Sequence, residues 1–375
     1  MTSAGSAHRA WIEVDHEAIR HNLSVLRRRA PEAAVIAVVK ADAYGHGDDA
    51  VARTLVAAGA ERLAVATVDE AVRLREAGIG APLLVLWGIG EAELEAVVAH
   101  DLEPIIDDAR SVALLAAAAD PAHPVGVHLK LDTGLGRQGA DPDLATEVAT
   151  AIARAPGLRL AGTMSHLASP GEDEAYTEVQ LLRLARALDA MRSAGIDPGL
   201  VHVAATGAIL AGGHELHGAI RPGLGLYGLA PAWATTVRAE LRPALSLKAR
   251  ALRLFDLAAG EGIGYGLRFR AARDTRIATL GIGYGDGWPR VHANNGAVLV
   301  RGQRALIVGA ISMDGLMVDV GGIAGVTYAD EFVLIGEQEG ARITADEVAA
   351  ERRTINYEVT TALRGRLPRL HLGAG

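Results

Sequence analysis

The chain has 375 residues, a net charge of −8 and no cysteine, which excludes disulfides, thiolate nucleophiles and cysteine metal sites. Its interspersed charges give no clustered basic face for nucleic acid, and the lack of a signal-peptide pattern and of any apolar run near ~20 residues predicts a cytoplasmic protein without membrane spans. Half of the residues are hydrophobic and only 4% are aromatic, and the length predicts a large domain built on small aliphatic side chains plus a second domain.

Apolar runs typical of buried strands alternate with stretches of helical spacing in the first two thirds of the chain. The runs cover residues 34–39, 63–67, 82–87, 103–106, 125–131, 158–164, 200–204 and 218–221. Near-continuous apolar strands between helices are typical of parallel strands covered on both faces. About eight such units predict an α/β fold with a (β/α)8 barrel. A doubly wound open sheet is the alternative.

The sequence pattern changes after Pro231. Residues 243–335 consist of strand-like stretches separated by Gly-rich turns, without a long helical pattern between them. This pattern predicts a separate, mostly antiparallel β domain. We therefore assign residues 8–236 to the barrel and residues 237–375 to the β domain.

Basic side chains lie at or just after the ends of several predicted barrel strands. They are Lys40, Lys130, Arg137, His166, His202 and Arg221. A (β/α)8 barrel builds its active site at this end, so these residues are candidates for a shared site. A desolvated Lys40 amine can attack an aldehyde as a nucleophile, although a solvated lysine at a strand end is the simpler alternative.

Several turns near these strand ends are candidates for holding a phosphate group. The Ala-Tyr-Gly-His-Gly turn that contains Tyr44 precedes a predicted helix, whose N-terminus favours anions. Gly223 lies just past the eighth run, where barrels commonly bind phosphate. Thr206 offers a hydroxyl nearby, or alternatively is a helix N-cap. In the β domain, Tyr265 and Tyr284 lie between glycines and either line a site or pack in a bend.

Six motifs together resemble the alanine racemase family along essentially the whole chain. They are AVVKADAYGHG, LKLDTGLGRQG, RPGLGLYG, GYGDGWPR, SMDG and TINYE, in the family's order and approximate spacing. The resemblance implies a barrel followed by a β domain, and a pyridoxal-phosphate enzyme that interconverts L- and D-alanine for peptidoglycan. It also implies a homodimer with shared active sites.

The resemblance implies roles for individual residues. Lys40 matches the lysine that binds pyridoxal phosphate covalently, and Tyr265 matches the opposing base, which comes from the partner subunit. The other residues expected to bind the cofactor are Tyr44, Arg137, His166, His202, Thr206, Arg221, Gly223 and Tyr357. Those expected to contact the substrate are Arg137, Tyr284 and Met313, and Lys130 matches a lysine that is often carbamylated.

Racemisation needs one base on each face of a planar carbanion, which the resemblance assigns to Lys40 and Tyr265. A free tyrosine titrates near pH 10. We expect His166 and Arg221, as cationic or hydrogen-bonding neighbours, to stabilise its phenolate.

The resemblance pairs Arg221 with the pyridine nitrogen. Because an arginine does not give up its proton there, the ring is a weaker electron sink than one paired with a carboxylic acid.

The sequence departs from the family pattern near the substrate entrance. Gly171 stands where an aspartate is common and Ala310 where an arginine is common. These two changes leave a racemase of another small amino acid, serine foremost, as an alternative. Away from the entrance, Ala205 replaces a usual asparagine beside the phosphate-binding hydroxyl. A non-catalytic cofactor carrier and a decarboxylase of similar architecture are further alternatives. An opposing base argues against the first, and Arg221 together with the absence of cysteine argues against the second.

Overall fold

The computed structural model describes residues 8–374, which form two compact units. The barrel unit comprises residues 18–43 and 48–242, and the β unit comprises residues 8–17, 44–47 and 243–374. The chain opens with strand β1 (Ala10–Asp15) and helix α1 (His16–Arg29). Among the described residues, no helix combines the length and apolar character that a membrane crossing requires.

Eight parallel strands close into a barrel, which confirms the predicted (β/α)8 architecture and shows that the open-sheet alternative is wrong. They are β2 (Ala34–Val38), β3 (Arg62–Val65), β4 (Leu83–Val85), β5 (Leu102–Ile106), β6 (Val125–Lys130), β7 (Leu158–Met164), β8 (Leu200–Ala205) and β9 (Ala219–Arg221). Closure comes from β9 pairing with β2, in the register Ala34 to Ala219 and Val35 to Ile220. All five residues of β5 are buried, as expected for strands covered on both faces.

Helices connect successive barrel strands. They are α2 (Lys40–Gly45), α3 (Asp48–Ala57), α4 (Val68–Glu76), α5 (Leu94–Ala99), α6 (Ala109–Ala118), α7 (Ala145–Arg154), α8 (Glu174–Ser193) and α9 (Thr206–Ala211), and α10 (Thr235–Arg238) follows the last barrel strand. Side-chain caps fix several of their starts. Thr67 and Glu70 form a capping box at α4, and Asp108 accepts from the Ser111 N–H at α6.

Besides β1, the strands of the β unit are β10 (Leu245–Leu257), β11 (Gly262–Ile263), β12 (Phe269–Arg270), β13 (Thr275–Leu280), β14 (Ala297–Val300), β15 (Gln303–Val308), β16 (Leu316–Asp319), β17 (Glu331–Gln338), β18 (Ala341–Ile343) and β19 (Arg369–Leu372). Nine of them form one sheet in the order β18-β17-β14-β15-β16-β13-β10-β1-β19, and β11 and β12 pair separately. Helices α11 (Ala345–Arg352) and α12 (Asn356–Thr361) precede β19. Apart from β1 with β19, the pairings are antiparallel, as predicted for this domain.

Strand β1 belongs to the β unit although it lies at the start of the chain. It pairs antiparallel with β10, from Ala10 opposite Ala249 to Val14 opposite Leu245, and parallel with β19. The buried Trp11 side chain anchors it. The boundaries 8–236 and 237–375 remain a prediction, and the structure groups residues 8–17 and 44–47 with the C-terminal residues.

Candidate active site

Lys40 follows the last buried residues of β2 and begins a left-handed turn. The φ angles of Ala41, Asp42, Ala43 and Tyr44 lie between 51° and 56°. Left-handed backbone costs about 1–2 kcal/mol for each non-glycine residue, and such strain clusters at functional sites. The residue type alone therefore does not favour this turn, and the surrounding structure must hold it.

The Glu70 side chain holds the start of the turn within the barrel unit. Its Oε1 accepts from the Ala41 N–H at 2.7 Å, and its Oε2 accepts from the N–H groups of Ala66 and Thr67. The Glu70 carboxylate thus ties the loop after β3 to the start of the Lys40 turn. Sequence reasoning missed this residue, because the capping-box pattern of α4 explains a glutamate there without reference to Lys40.

The surroundings of Lys40 favour a neutral amine. Burial lowers the pKa of Lys40, and the positive charges of Arg137 and Arg221 lower it further, while Glu70 partly opposes them. A lysine with a lowered pKa presents its nucleophilic form more often at neutral pH. This electrostatic environment suits an amine that attacks a carbonyl group.

Arg221 is buried at the end of β9 and is held by neighbouring strands. Its Nη1 donates to the carbonyl oxygen and to Nδ1 of His202, at 2.6 and 2.9 Å. Its Nη2 donates to the carbonyl oxygens of Ser165 and Val203 and to His166 Nδ1 at 3.2 Å. Burial lowers the pKa of Arg221 to about 9, so the guanidinium is charged at neutral pH and rigidly oriented.

His166, after β7, is neutral at physiological pH. Burial lowers its pKa to about 3, with further lowering by Arg221, Arg137 and Lys40. Because Nδ1 accepts from Arg221, the proton of the neutral ring lies on Nε2, which is free to donate. A neutral His166 can act as a hydrogen-bonding neighbour, and its role beside Tyr265 stays a prediction.

Lys130 and Arg137 both approach Trp87, a residue that sequence reasoning missed. Lys130 Nζ lies 5.9 Å and Arg137 Cζ 5.3 Å from the centroid of the indole ring, within reach of cation–π attraction. Lys130 also donates to Gln138 Oε1 at 2.9 Å, and burial, with Arg137 and Arg221, lowers its pKa to about 8. The position of Trp87 at the end of the third predicted run was the available signal.

The loop that carries Arg137 is organised by Asp132. The carboxylate accepts from the backbone N–H groups of Gly134, Leu135, Gly136 and Arg137, at 2.8–3.2 Å. Burial raises the pKa of Asp132, but these hydrogen bonds outweigh it, and the net shift is downward. The ionised carboxylate thus fixes the backbone from which the Arg137 side chain extends.

Thr206 links the loops after β8 and β9. Its Oγ1 accepts from the N–H groups of Gly223 and Gly225, at 3.1 and 3.2 Å. The N-cap of α9 is Ala205, so the N-cap alternative for Thr206 is wrong. The Thr206 hydroxyl proton remains available for an anion, whereas the Gly223 N–H is already bonded to Thr206. This pair stands in the loops where barrels commonly hold phosphate.

Within the β unit, Tyr44 and Tyr357 lie close together, with ring centroids 6.4 Å apart. Burial and the Tyr357 hydroxyl raise the pKa of Tyr44, so its hydroxyl stays protonated and can donate to an anion. The adjacent Gly45 has a φ of +86°, and a Cβ there would lie 2.2 Å from the Thr360 carbonyl oxygen. Glycine is therefore required for the backbone to pass α12 this closely.

Tyr265, Tyr284 and Met313 lie on turns at the surface of the β unit. The Tyr265 side chain is 76% exposed, between Gly264 and Gly266, so the ring is not packed within its own chain. Hydrogen bonds from the N–H groups of Tyr284 to the Ser312 carbonyl and of Gly285 to the Met313 carbonyl join the other two turns. Tyr265 thus presents a free hydroxyl to a ligand or to another chain.

Gly171 and Ala310, the two departures from the family pattern at the predicted entrance, lie in different surroundings. Gly171 has a φ of +85°, and a Cβ there would lie 2.5 Å from ring atoms of Trp233 in the same unit. An aspartate at this position would be strained and would displace the indole ring. Ala310 is 4% exposed in the β unit. Neither position carries a charge in this chain.

The predicted site residues are thus divided between the two units. The barrel unit holds Lys40, Lys130, Arg137, His166, His202, Thr206, Arg221 and Gly223, and the β unit holds Tyr44, Tyr265, Tyr284, Met313 and Tyr357.

Sequence profiles of two families match nearly the whole chain. "Alanine racemase, N-terminal domain" matches residues 14–231, and "Alanine racemase, C-terminal domain" matches residues 244–371. The chain belongs to the alanine racemase family. The resemblance of the six motifs is confirmed.

Relatives and solved structures agree with this family membership. An alanine racemase of Sorangium cellulosum is 39% identical over 97% of this chain and 98% of its own, and one of Nostoc sp. is 38% identical over 98% and 97%. The crystal structure of alanine racemase from Streptomyces lavendulae has a TM-score of 0.91 and 34% identity, and covers 97% of both chains. The structure from Bacillus anthracis with bound L-Ala-P has the same TM-score and identity, and covers 97% of this chain and 95% of its own.

Proposed function

We propose that this protein interconverts L- and D-alanine by a two-base mechanism, with pyridoxal phosphate bound covalently at Lys40. The observation that carries the proposal is the Lys40 amine at the end of a barrel strand, in the closed barrel that is typical of the family. Burial and the charges of Arg137 and Arg221 lower the pKa of this amine. When bound, pyridoxal phosphate supplies an electron-withdrawing ring that acidifies the Cα–H of the attached amino acid.

The residues present fit this cofactor. Thr206 would offer its hydroxyl proton to the phosphate in the loops after β8 and β9, and the Tyr44 hydroxyl, protonated because of its raised pKa, would be a second donor. Tyr357 and Gly223 complete the proposed phosphate set, Gly223 through the hydrogen bond that its N–H donates to the Thr206 hydroxyl oxygen. Arg221, supported by His202, would face the pyridine nitrogen as a fixed donor.

Arg137 would hold the phenolic oxygen of the cofactor and the carboxylate of the substrate. The Asp132 carboxylate fixes the backbone of Arg137, and Trp87 lies beside its guanidinium. A preorganised arginine binds a carboxylate with two parallel hydrogen bonds and orients it. Lys130, with a pKa of about 8, has enough neutral amine to react with CO2, which would give a carbamate and release a proton.

Lys40 and Tyr265 would be the two bases. In one direction the Lys40 amine takes the Cα proton and the Tyr265 hydroxyl gives a proton to the opposite face, and in the other direction the roles exchange. The 76% exposure of Tyr265 supports its action on a second copy of the chain. We therefore propose a homodimer with shared active sites, in which Met313 and Tyr284 of one copy contact the substrate held by the other.

A neutral His166 would help Tyr265 to act as a base. Its Nε2–H is free to donate because Arg221 occupies Nδ1. A hydrogen bond to the phenolate lowers the pKa of a tyrosine towards neutrality. Arg221 would therefore serve both the ring nitrogen and, through His166, the second base.

The biological role that we propose is the supply of D-alanine for peptidoglycan in the cytoplasm. Alanine is preferred over larger amino acids because the Tyr357 ring would narrow the pocket. Comparing kcat/KM for L-alanine and L-serine tests this preference, and a higher value for serine would contradict it.

The test of the proposed activity uses purified protein supplied with pyridoxal phosphate and L-alanine. We expect D-alanine to form, and Lys40→Ala to lose both the visible absorption of the lysine-bound cofactor and the activity. Tyr265→Phe should keep the absorption but lose about 10²–10⁴-fold in rate, as is typical of general acid–base groups. Full activity in either variant would contradict the proposal.

A further inference from the structure

A line of buried polar side chains runs from Arg221 into the interior of the barrel. His202 Nε2 lies 2.8 Å from His128 Nδ1, and His128 Nε2 lies 3.4 Å from Glu103 Oε2. The same Glu103 oxygen accepts from Arg62 Nε at 3.2 Å. Both histidines have no exposed surface, and Glu103 is 8% exposed. The line connects five barrel strands, yet its inner half touches none of the residues assigned to the cofactor or substrate apart from His202.

The chemistry of the side chains fixes the direction of every hydrogen bond in this line. An arginine can only donate, so His202 Nδ1 must accept from Arg221. A neutral His202 then carries its proton on Nε2 and donates to His128 Nδ1. His128 in turn carries its proton on Nε2 and donates to Glu103, which can only accept when ionised. One arrangement therefore satisfies all groups.

The charges in the line agree with this arrangement. Burial lowers the pKa of both His202 and His128, which keeps the rings neutral. Burial raises the pKa of Glu103, but the hydrogen bond from His128 and the Arg62 charge outweigh it, so the carboxyl is ionised. The described acceptors around Arg221 are carbonyl oxygens and imidazole nitrogens. Glu103 is thus the carboxylate to which the buried guanidinium is connected through hydrogen bonds.

We propose that Glu103 and His128 are positioning residues for Arg221. The Glu103 oxygen holds His128 in the Nε2–H tautomer, His128 holds His202 in the same tautomer, and His202 thereby offers Nδ1 to the guanidinium. With the opposite tautomer, His202 would present an N–H to Arg221, and the arginine would lose an acceptor and move. This role rests on the proposed function only in that Arg221 serves the ring nitrogen, since the hydrogen-bond pattern itself stands without it.

The structure supplies a matched pair of variants at Glu103. Both His128 and Arg62 donate to the same oxygen, Oε2. Glu103→Gln can place its amide oxygen there and keep both hydrogen bonds, whereas Glu103→Met has a similar length and no acceptor. If Glu103 acts as a hydrogen-bond acceptor, the two variants should differ in their histidine tautomers and in kcat. If Glu103 only fills space, the two variants should give the same tautomers and the same kcat.

The experiment measures histidine tautomers by 15N–1H NMR of the full-length protein with its cofactor, labelled at histidine. Signals are assigned through His128→Asn and His202→Asn. We expect Nε2–H with unprotonated Nδ1 for both rings in the unaltered protein and in Glu103→Gln. In Glu103→Met, His128 should lose its fixed tautomer, and kcat should fall about tenfold, as for one lost buried hydrogen bond, with a smaller change in KM.

A proton on Nδ1 of either ring in the unaltered protein, or double protonation of one, would overturn the proposal, and this spectrum is informative even when Glu103→Met does not fold. Unchanged tautomers and kcat in a folded Glu103→Met would also overturn it. The absence of racemase activity in the unaltered protein would contradict the proposed function instead, because the spectrum reports the tautomers regardless of turnover.

Discussion

Replacing Asp132 by alanine is expected to weaken catalysis through Arg137 without removing a side chain that touches the substrate. The carboxylate accepts from four backbone N–H groups, and water can replace part of this in the half-exposed loop. Of the roughly 1.5–3 kcal/mol that a hydrogen bond to a charged group contributes, we expect about 1–2 kcal/mol to reach the transition state through Arg137. This equals a loss of about 5–30-fold in kcat/KM.

Steady-state kinetics of Asp132→Ala, Arg137→Ala and the double variant measure this coupling. If Asp132 acts through Arg137, its loss costs little once Arg137 is gone, so the two effects are not additive. Asp132→Asn is the matched control. Its carbonyl oxygen at the Oδ1 position can keep the bonds from Gly134, Leu135 and Gly136, so we expect an intermediate loss. Equal losses for Asp132→Ala with and without Arg137 would refute the reasoning.

Three further predictions concern the stability of the protein and the role of Trp87. Gly171→Asp should lower the free energy of unfolding by about 1–3 kcal/mol, because the new Cβ meets the Trp233 ring. Adding Trp233→Ala to this variant should recover part of the loss, as measured by urea denaturation. If Gly171→Asp is as stable as the unaltered protein, the clash is contradicted. The pKa of His166 is about 3 and that of His202 is lowered, both below about 6.5 in the unfolded chain, which therefore binds more protons. The free energy of unfolding should fall as the pH drops from about 6.5 towards 3, and urea midpoints that do not change between pH 7 and about pH 4 would speak against neutral buried histidines. Trp87→Ala should raise KM more than it lowers kcat, and the loss in kcat/KM should correspond to about 0.5–2 kcal/mol. Unaltered steady-state kinetics would show that the cation–π contacts of Trp87 with Lys130 and Arg137 have no role in catalysis.

The barrel and its strand-end residues could be predicted because their signals are local. Buried parallel strands read as apolar runs, and each of the eight runs overlaps an observed strand, for example 125–131 with β6 and 158–164 with β7. Once the strands are known, a lysine or arginine at a strand end must face the same end of the barrel. The antiparallel β domain followed in the same way from short strands and Gly-rich turns.

The features that escaped prediction depend on partners that are distant in sequence. The membership of β1 in the β unit rests on pairing with β10, more than 200 residues later. The left-handed backbone after Lys40 runs against the preference of its own residues and is held by Glu70 from α4. Likewise, the line from Arg221 to Glu103 becomes visible only when β5, β6, β8 and β9 are placed in the closed barrel.

The central claim is that Lys40 of one copy and Tyr265 of a second copy serve the same substrate carbon. Co-expression of Lys40→Ala with Tyr265→Phe tests it most directly, because each variant alone should be nearly inactive. In a mixed dimer with shared sites, one site combines the intact Lys40 and the intact Tyr265, so about a quarter of all sites should be active after random pairing. If the mixed dimer is no more active than the separate variants, Lys40 of one copy and Tyr265 of the other do not serve the same site, and the account is contradicted.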